Sequence, residues 1–92
     1  MLKIERTTQF KKDYKLAIKR GCDPKELIEV IELLQNEQPL PEKYRDHPLV
    51  NSKNYNGMRE CHIKPDWLLI YKIYSDKLVL TLIRTGTHSD LF

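Results

Sequence analysis

Residues 57–84 read GMRECHIKPDWLLIYKIYSDKLVLTLIR, and their patterning decides the fold. Three runs rich in aliphatic, aromatic and β-branched residues, Gly57–Ile63, Trp67–Tyr74 and Lys77–Arg84, predict strands. Only Lys64-Pro65-Asp66 and Ser75-Asp76 separate them, and connections this short allow an antiparallel meander alone. In a meander the first and third strands run the same way. The end of the first (His62), the start of the second (Asp66, Trp67) and the end of the third (Arg84) therefore share one end of the sheet.

Upstream of this block, Leu2–Arg6 alternates as a short first strand does. Thr8 then offers an N-cap, and Phe10, Tyr14, Ala17 and Ile18 recur at helical spacing as far as Gly21, a natural residue to follow a helix. Asp23-Pro24-Lys25-Glu26 is a second start signal: a capping carboxylate, a proline at the first helical position and an acid in the first turn. Leu27, Val30, Ile31 and Leu34 form the apolar stripe of that second helix. Pro39 and Pro41 end the helical half. Tyr44–Asn56 reads as a short extended piece and a polar loop, and Thr85–Phe92 as a glycine turn leading into a short capped segment. The expected fold is a single α+β domain over residues 1–92, an N-terminal strand and helical hairpin packed on a small antiparallel sheet.

Composition narrows the class. At 92 residues, with 40% hydrophobic and 32% charged, the chain can build one modest core, and general disorder is excluded. No apolar run approaches the ~20 residues of a membrane span, and Met1–Arg6 is no signal peptide. Cys22 and Cys61 make neither a disulfide framework nor a metal-ligand spacing, so the expectation is a cytoplasmic protein with reduced thiols. The net charge of +3 is a cancellation of +5 over Lys3–Arg20, −5 over Asp23–Glu42 and +3 over Lys43–Phe92.

Chemistry gathers at the meander's common end. His88 follows Arg84 by four residues, across Gly86, and can fold back to join His62, Asp66 and Trp67; His47 lies in the polar loop. Convergence of titratable groups from distant positions is what an active site requires. No glycine-rich phosphate loop is present, nor a Ser or Cys nucleophile with an evident base. His47, His62 and His88 lack the short-spaced pair common in zinc sites, so no metal is expected. Histidines with an arginine suit RNA cleavage by the 2′-hydroxyl. One group takes the 2′-OH proton, a second protonates the leaving 5′-oxygen, and a guanidinium balances charge on the phosphate. Imidazole serves as acid or base near neutrality, and no cofactor is needed.

The ordered set Asp46-His47-Pro48-Leu49, Arg59-Glu60-Cys61-His62-Ile63, Pro65-Asp66-Trp67-Leu68-Leu69-Ile70-Tyr71 and Arg84-Thr85-Gly86-Thr87-His88-Ser89-Asp90-Leu91-Phe92 resembles the YafQ-type toxins, a branch of the RelE superfamily of bacterial toxin–antitoxin systems. The resemblance implies a RelE-like fold and a ribosome-dependent endoribonuclease that cuts messenger RNA and is silenced by a cognate antitoxin protein. His47, His62, Asp66, Arg84 and His88 match the family's catalytic positions, and Trp67 and Phe92 match aromatic positions that shape the site. By that resemblance His88 is the general acid, Arg84 the phosphate stabiliser, His62 and Asp66 the base or its orienting partner, and His47 an assistant. Val50–Asn56, before Gly57, is longer than the family's usual link. Lys11 and Lys12, with Lys15, Lys19 and Arg20, form a basic helix face that suits RNA or an acidic antitoxin segment equally. The competing readings are a noncatalytic ParE-like poison or an inactive binding module on the same fold. Three histidines at one edge argue against both.

Overall fold

A computed structural model describes residues 1–92. Its elements are β1 (Lys3–Arg6), α1 (Thr8–Lys19), α2 (Pro24–Gln35), a 3-10 turn (Glu42–Tyr44), β2 (His47–Pro48), β3 (Arg59–Lys64), β4 (Trp67–Tyr74), β5 (Val79–Gly86) and α3 (His88–Leu91). The five strands make one sheet in the order β1-β5-β4-β3-β2. The β3–β4–β5 meander is antiparallel, as its short connections require. β1 instead lies parallel to β5, with Ile4 opposite Leu80 and Arg6 opposite Leu82, so the sheet is mixed rather than wholly antiparallel. The α1–α2 hairpin and the meander together form the crossover that parallel pairing demands. Thr7 fastens the junction, its N–H donating to the Leu82 carbonyl (3.1 Å) and its hydroxyl to the Ile83 carbonyl (2.6 Å).

Local signals set most boundaries. The α1 cap is Thr7 rather than Thr8: its Oγ1 accepts from the Phe10 N–H at 2.9 Å. The buried face of α1 is Phe10, Asp13 and Ala17, whereas Ile18 is exposed, so a carboxylate sits on the inward stripe. In α2, Asp23 caps through the Lys25 N–H (3.0 Å), and Leu27, Val30 and Leu34 are buried. The β4–β5 connection is longer than Ser75-Asp76. Without a glycine those two residues do not adopt the positive φ angles of a two-residue hairpin. The chain turns through Lys77 N–H to Tyr74 carbonyl (3.1 Å), and Leu78 takes the left-handed conformation (φ 54°) before β5 begins.

β4 is apolar at nearly every position because both its faces are covered. Trp67, Leu69 and Tyr71 enter the main core with Phe10, Leu27, Val30, Leu80 and Leu82, beneath the helices. Leu68 and Ile70 point the other way into a smaller cluster with Tyr55 and Leu91. This second face carries the histidines.

Candidate active site

The sheet register assembles the site in two rows. Across four strands, His47 pairs with Glu60, Glu60 with Ile70, and Ile70 with Arg84. One step along the same face, His62 pairs with Leu68 and Leu68 with Gly86, just before α3. Cross-strand partners share a face, and residues two apart along a strand return to it. Alternation in β3 thus delivers Glu60 and His62 together, and the β2 pairing brings in His47. The link Val50–Asn56 leaves no slack in His47, because the loop is closed at its neck by Leu49 N–H to the Met58 carbonyl (2.8 Å). Behind His47, Arg59 donates to Asp46 (3.0 Å), and the Tyr71 hydroxyl also bonds that carboxylate.

The imidazoles form a chain. The ring centroids of His47 and His62 are 6.4 Å apart, those of His62 and His88 5.9 Å, and those of His88 and Phe92 5.9 Å; Tyr55 meets Phe92 edge to face at 5.5 Å. Glu60 is buried, and its Oε1 lies 3.2 Å from Nε2 of both His47 and His62. The Nδ1 atoms of these rings face the carbonyls of Pro48 (3.1 Å) and Pro65 (3.4 Å). Each ring thus has a carboxylate oxygen on one side and a backbone carbonyl on the other. Ring nitrogens of His47 and His62 and a Glu60 oxygen lie within 4.8 Å of one another, a nitrogen–oxygen set that also fits a transition-metal ion. Sequence spacing gave no such pair; the β2–β3 pairing creates it.

Arg84 and His88 are held from α1 and α3. Arg84 donates through Nε (3.0 Å) and Nη2 (2.9 Å) to Asp13, and through Nη1 to the Tyr55 hydroxyl (3.4 Å). These bonds, from Asp13 above all, keep the guanidinium firmly charged. Burial alone would lift the Asp13 carboxyl, but bonds from Arg84, Gln9 and the Thr85 N–H outweigh it and hold it below the usual carboxylate range. The fork therefore keeps N–H groups on Nη1 and Nη2 for a ligand. His88 opens α3, which Thr87 and Asp90 cap reciprocally (3.0 and 3.1 Å). Arg20 of the α1 C-terminus clasps Asp90 at 2.7 Å and, with the Thr87 N–H, pushes its carboxyl down to about 2. Asp66 accepts from the His88 N–H (3.2 Å) and lies 3.5 Å from its Nδ1.

His47, His62, Asp66, His88 and Phe92 thus come together, with Arg84 joined to them through Tyr55 and Phe92. Trp67 stands behind the site in the main core, its indole N–H bonded to Thr85 (2.9 Å), whose hydroxyl bonds the Leu68 carbonyl (2.6 Å). Lys11 lines a groove between β1, α1 and α2, and Lys12 is an exposed residue of α1; neither is brought to the histidines. Cys61 is buried and its thiol is pushed far up by desolvation, then by Asp46 and Glu60, so it offers no nucleophile. Sequence reasoning missed Glu60, Asp13 and Tyr55. Glu60 carried a signal, since period two puts it on the His62 face; so did Asp13, three residues after Phe10 on the buried stripe.

Comparison with known proteins follows the same lines. Residues 2–92 match the family described as "Bacterial toxin of type II toxin-antitoxin system, YafQ". The chain is 51% identical over 90 residues to the mRNA interferase toxin YafQ of Escherichia coli (strain B / BL21-DE3), covering 97% of this chain and 94% of that one. A crystal structure of a metal-bound toxin from Helicobacter pylori superposes over 100% of both chains with TM-score 0.91 and 48% identity. The toxin in a crystal structure of the E. coli DinJ–YafQ complex superposes over 100% of this chain and 99% of its own, with TM-score 0.85 and 47% identity.

Proposed function

The chain belongs to the YafQ family of bacterial type II toxins, and on that premise we propose that it is an endoribonuclease that cuts messenger RNA on the ribosome by acid–base chemistry at the histidine cluster. The observation that carries this reading is the pair His62 and His88. Two imidazoles 5.9 Å apart on an open face can flank one phosphodiester and both reach it. The 2′-oxygen attacks phosphorus and the P–O5′ bond breaks, leaving a 2′,3′-cyclic phosphate and a 5′-hydroxyl. The 2′-OH proton leaves toward His62 and Asp66, which share the base and orienting work. His88, oriented by Asp66 and backed by Phe92, gives a proton to the 5′-oxygen. Arg84 turns its free N–H groups to the phosphate oxygens as charge builds there, and His47 adds a further donor beside Glu60. A transition metal held by His47, Glu60 and His62 would supply a Lewis acid. The proton transfers assigned here need none.

Openness supports dependence on the ribosome. The side chains of His88 and Asp66 are 56% and 70% exposed, so these two groups lie open to solvent. A second body that fixes the RNA supplies the positioning that such a surface lacks.

A cognate antitoxin is the partner expected from the E. coli complex, and the groove of about 710 Å³ between β1, α1 and α2 is suited to it. Ile4, Phe10, Tyr14, Ile28 and Ile31 line it, and Arg6, Lys11 and Lys15 ring it. An apolar segment bearing acidic residues matches that pattern, beside the unpaired outer edge of β1.

Inducible expression with 5′-end mapping tests the function. New ends inside codons are expected with the wild type, and none with His88→Ala or Arg84→Ala, while both variants still capture the antitoxin. Undiminished cleavage by both variants would overturn the assignment.

A further inference from the structure

We propose that a cleft beside His62, walled by Lys43, Arg45 and Lys64, is a phosphate track that holds the RNA backbone flanking the cut. This rests on the endonuclease reading above and extends it to residues outside the catalytic set. The cleft encloses about 290 Å³, and His62 is one of its lining residues, so it runs directly into the site. Tyr44 and Ile63 also line it but are buried, which leaves a floor with little apolar surface for a protein partner to cover. Its walls are cationic. Arg45 and Lys43 make no salt bridge, and only Lys64 has a carboxylate partner, Glu26. Three cations against one anion leave a net +2, which matches two phosphates.

The backbone supports the same conclusion. Arg45 closes the 3-10 turn in the left-handed conformation (φ 47°), one that L-residues other than Asn and Asp seldom adopt. Asp46 then accepts from Arg59 and Tyr71, which fixes the chain between Arg45 in the cleft and His47 in the site. On the other wall, β3 is irregular between His62 and Lys64, where the strand leaves the catalytic face and continues along the cleft.

The test uses full-length protein and an RNA oligonucleotide carrying a 2′-deoxy sugar at the cleavage position, which binds without reacting. Affinity is measured between about 50 and 200 mM salt. Each phosphate contact on a single strand contributes a slope of about −0.7 in log affinity against log salt, so the Lys43→Gln/Arg45→Gln/Lys64→Gln variant is expected to flatten the slope by about 1.4. It should also bind at least roughly tenfold more weakly at the lowest salt. Glu26→Gln, which frees Lys64, is expected to tighten binding, a gain that misfolding does not produce. Equal affinity and slope in the triple variant would overturn the proposal. So would a wild type without measurable affinity, or a triple variant that loses antitoxin capture while keeping RNA affinity. Wild-type cleavage of ribosome-loaded, all-ribose message is followed in parallel. If that fails while the binding results hold, the endonuclease reading falls and the track stands.

Discussion

Asp13 and Glu60 are carboxylates spent on holding other side chains. Asp13 occupies two corners of the Arg84 fork and also accepts from the Thr85 N–H at 3.2 Å, so it sets both the side chain and the strand that carries it. Replacing it by asparagine removes charge-assisted bonds and is expected to cost about 2 kcal/mol in urea unfolding. Single-turnover cleavage should fall by more than tenfold, since a guanidinium free to swing no longer meets the phosphate in one pose. Glu60 anchors two imidazoles at once. In Glu60→Gln a single amide oxygen replaces the carboxylate, and roughly a tenfold drop in saturated cleavage is expected. If the reaction proceeds by proton transfer alone, 1,10-phenanthroline leaves the wild-type rate unchanged; loss of activity with the chelator would place a metal in the reaction.

At the scale of elements, α3 is the most conditional part of the site. It is one turn long, and it is held by the Thr87–Asp90 cap, by Arg20 and by Leu91 in the smaller cluster. The Asp90 carboxyl is depressed to about 2, so its stabilising effect is complete above the ordinary aspartate value of ~3.9. That effect disappears as pH falls through about 2. The Tyr55–Phe92 contact, followed by NMR, should fade over that range. Gly86 faces the same carboxylate: a Cβ there would lie 2.9 Å from Asp90 Oδ2 and 3.1 Å from Asp90 Cβ. Gly86→Ala is expected to displace α3, costing about 1–3 kcal/mol and most of the cleavage activity. The helices and the meander were legible in the sequence because each rests on local periodicity, caps and short connections. The convergence of His62, Asp66 and Arg84 followed from the meander, and that of His88 from the turn at Gly86. The parallel docking of β1 on β5 was not legible, since nothing local distinguishes one sheet edge from the other. Two-residue β2 is too short to show a period, so the approach of His47 to Glu60 was not legible either.

Over the whole molecule, α1 separates the apolar groove from the histidine face, with Lys11 and Lys15 toward the former and Asp13 and Arg20 toward the latter. The long closure between β1 and β5 bounds the other side, Thr7 reaching Ile83 across 76 positions of sequence. Contacts this distant form late, because loop entropy must be overcome before they stabilise anything. Ile4→Ala, which weakens β1 against the main core, is therefore expected to speed unfolding roughly tenfold, about 1.4 kcal/mol, with little effect on the folding rate. Stopped-flow chevrons would reveal the reverse if β1 docked early. The same closure has a consequence for how the protein is made. β5 pairs with the first strand and carries Arg84, and α3 with His88 follows it in the chain, so a nascent polypeptide cannot bring these groups together until residue 88 has emerged.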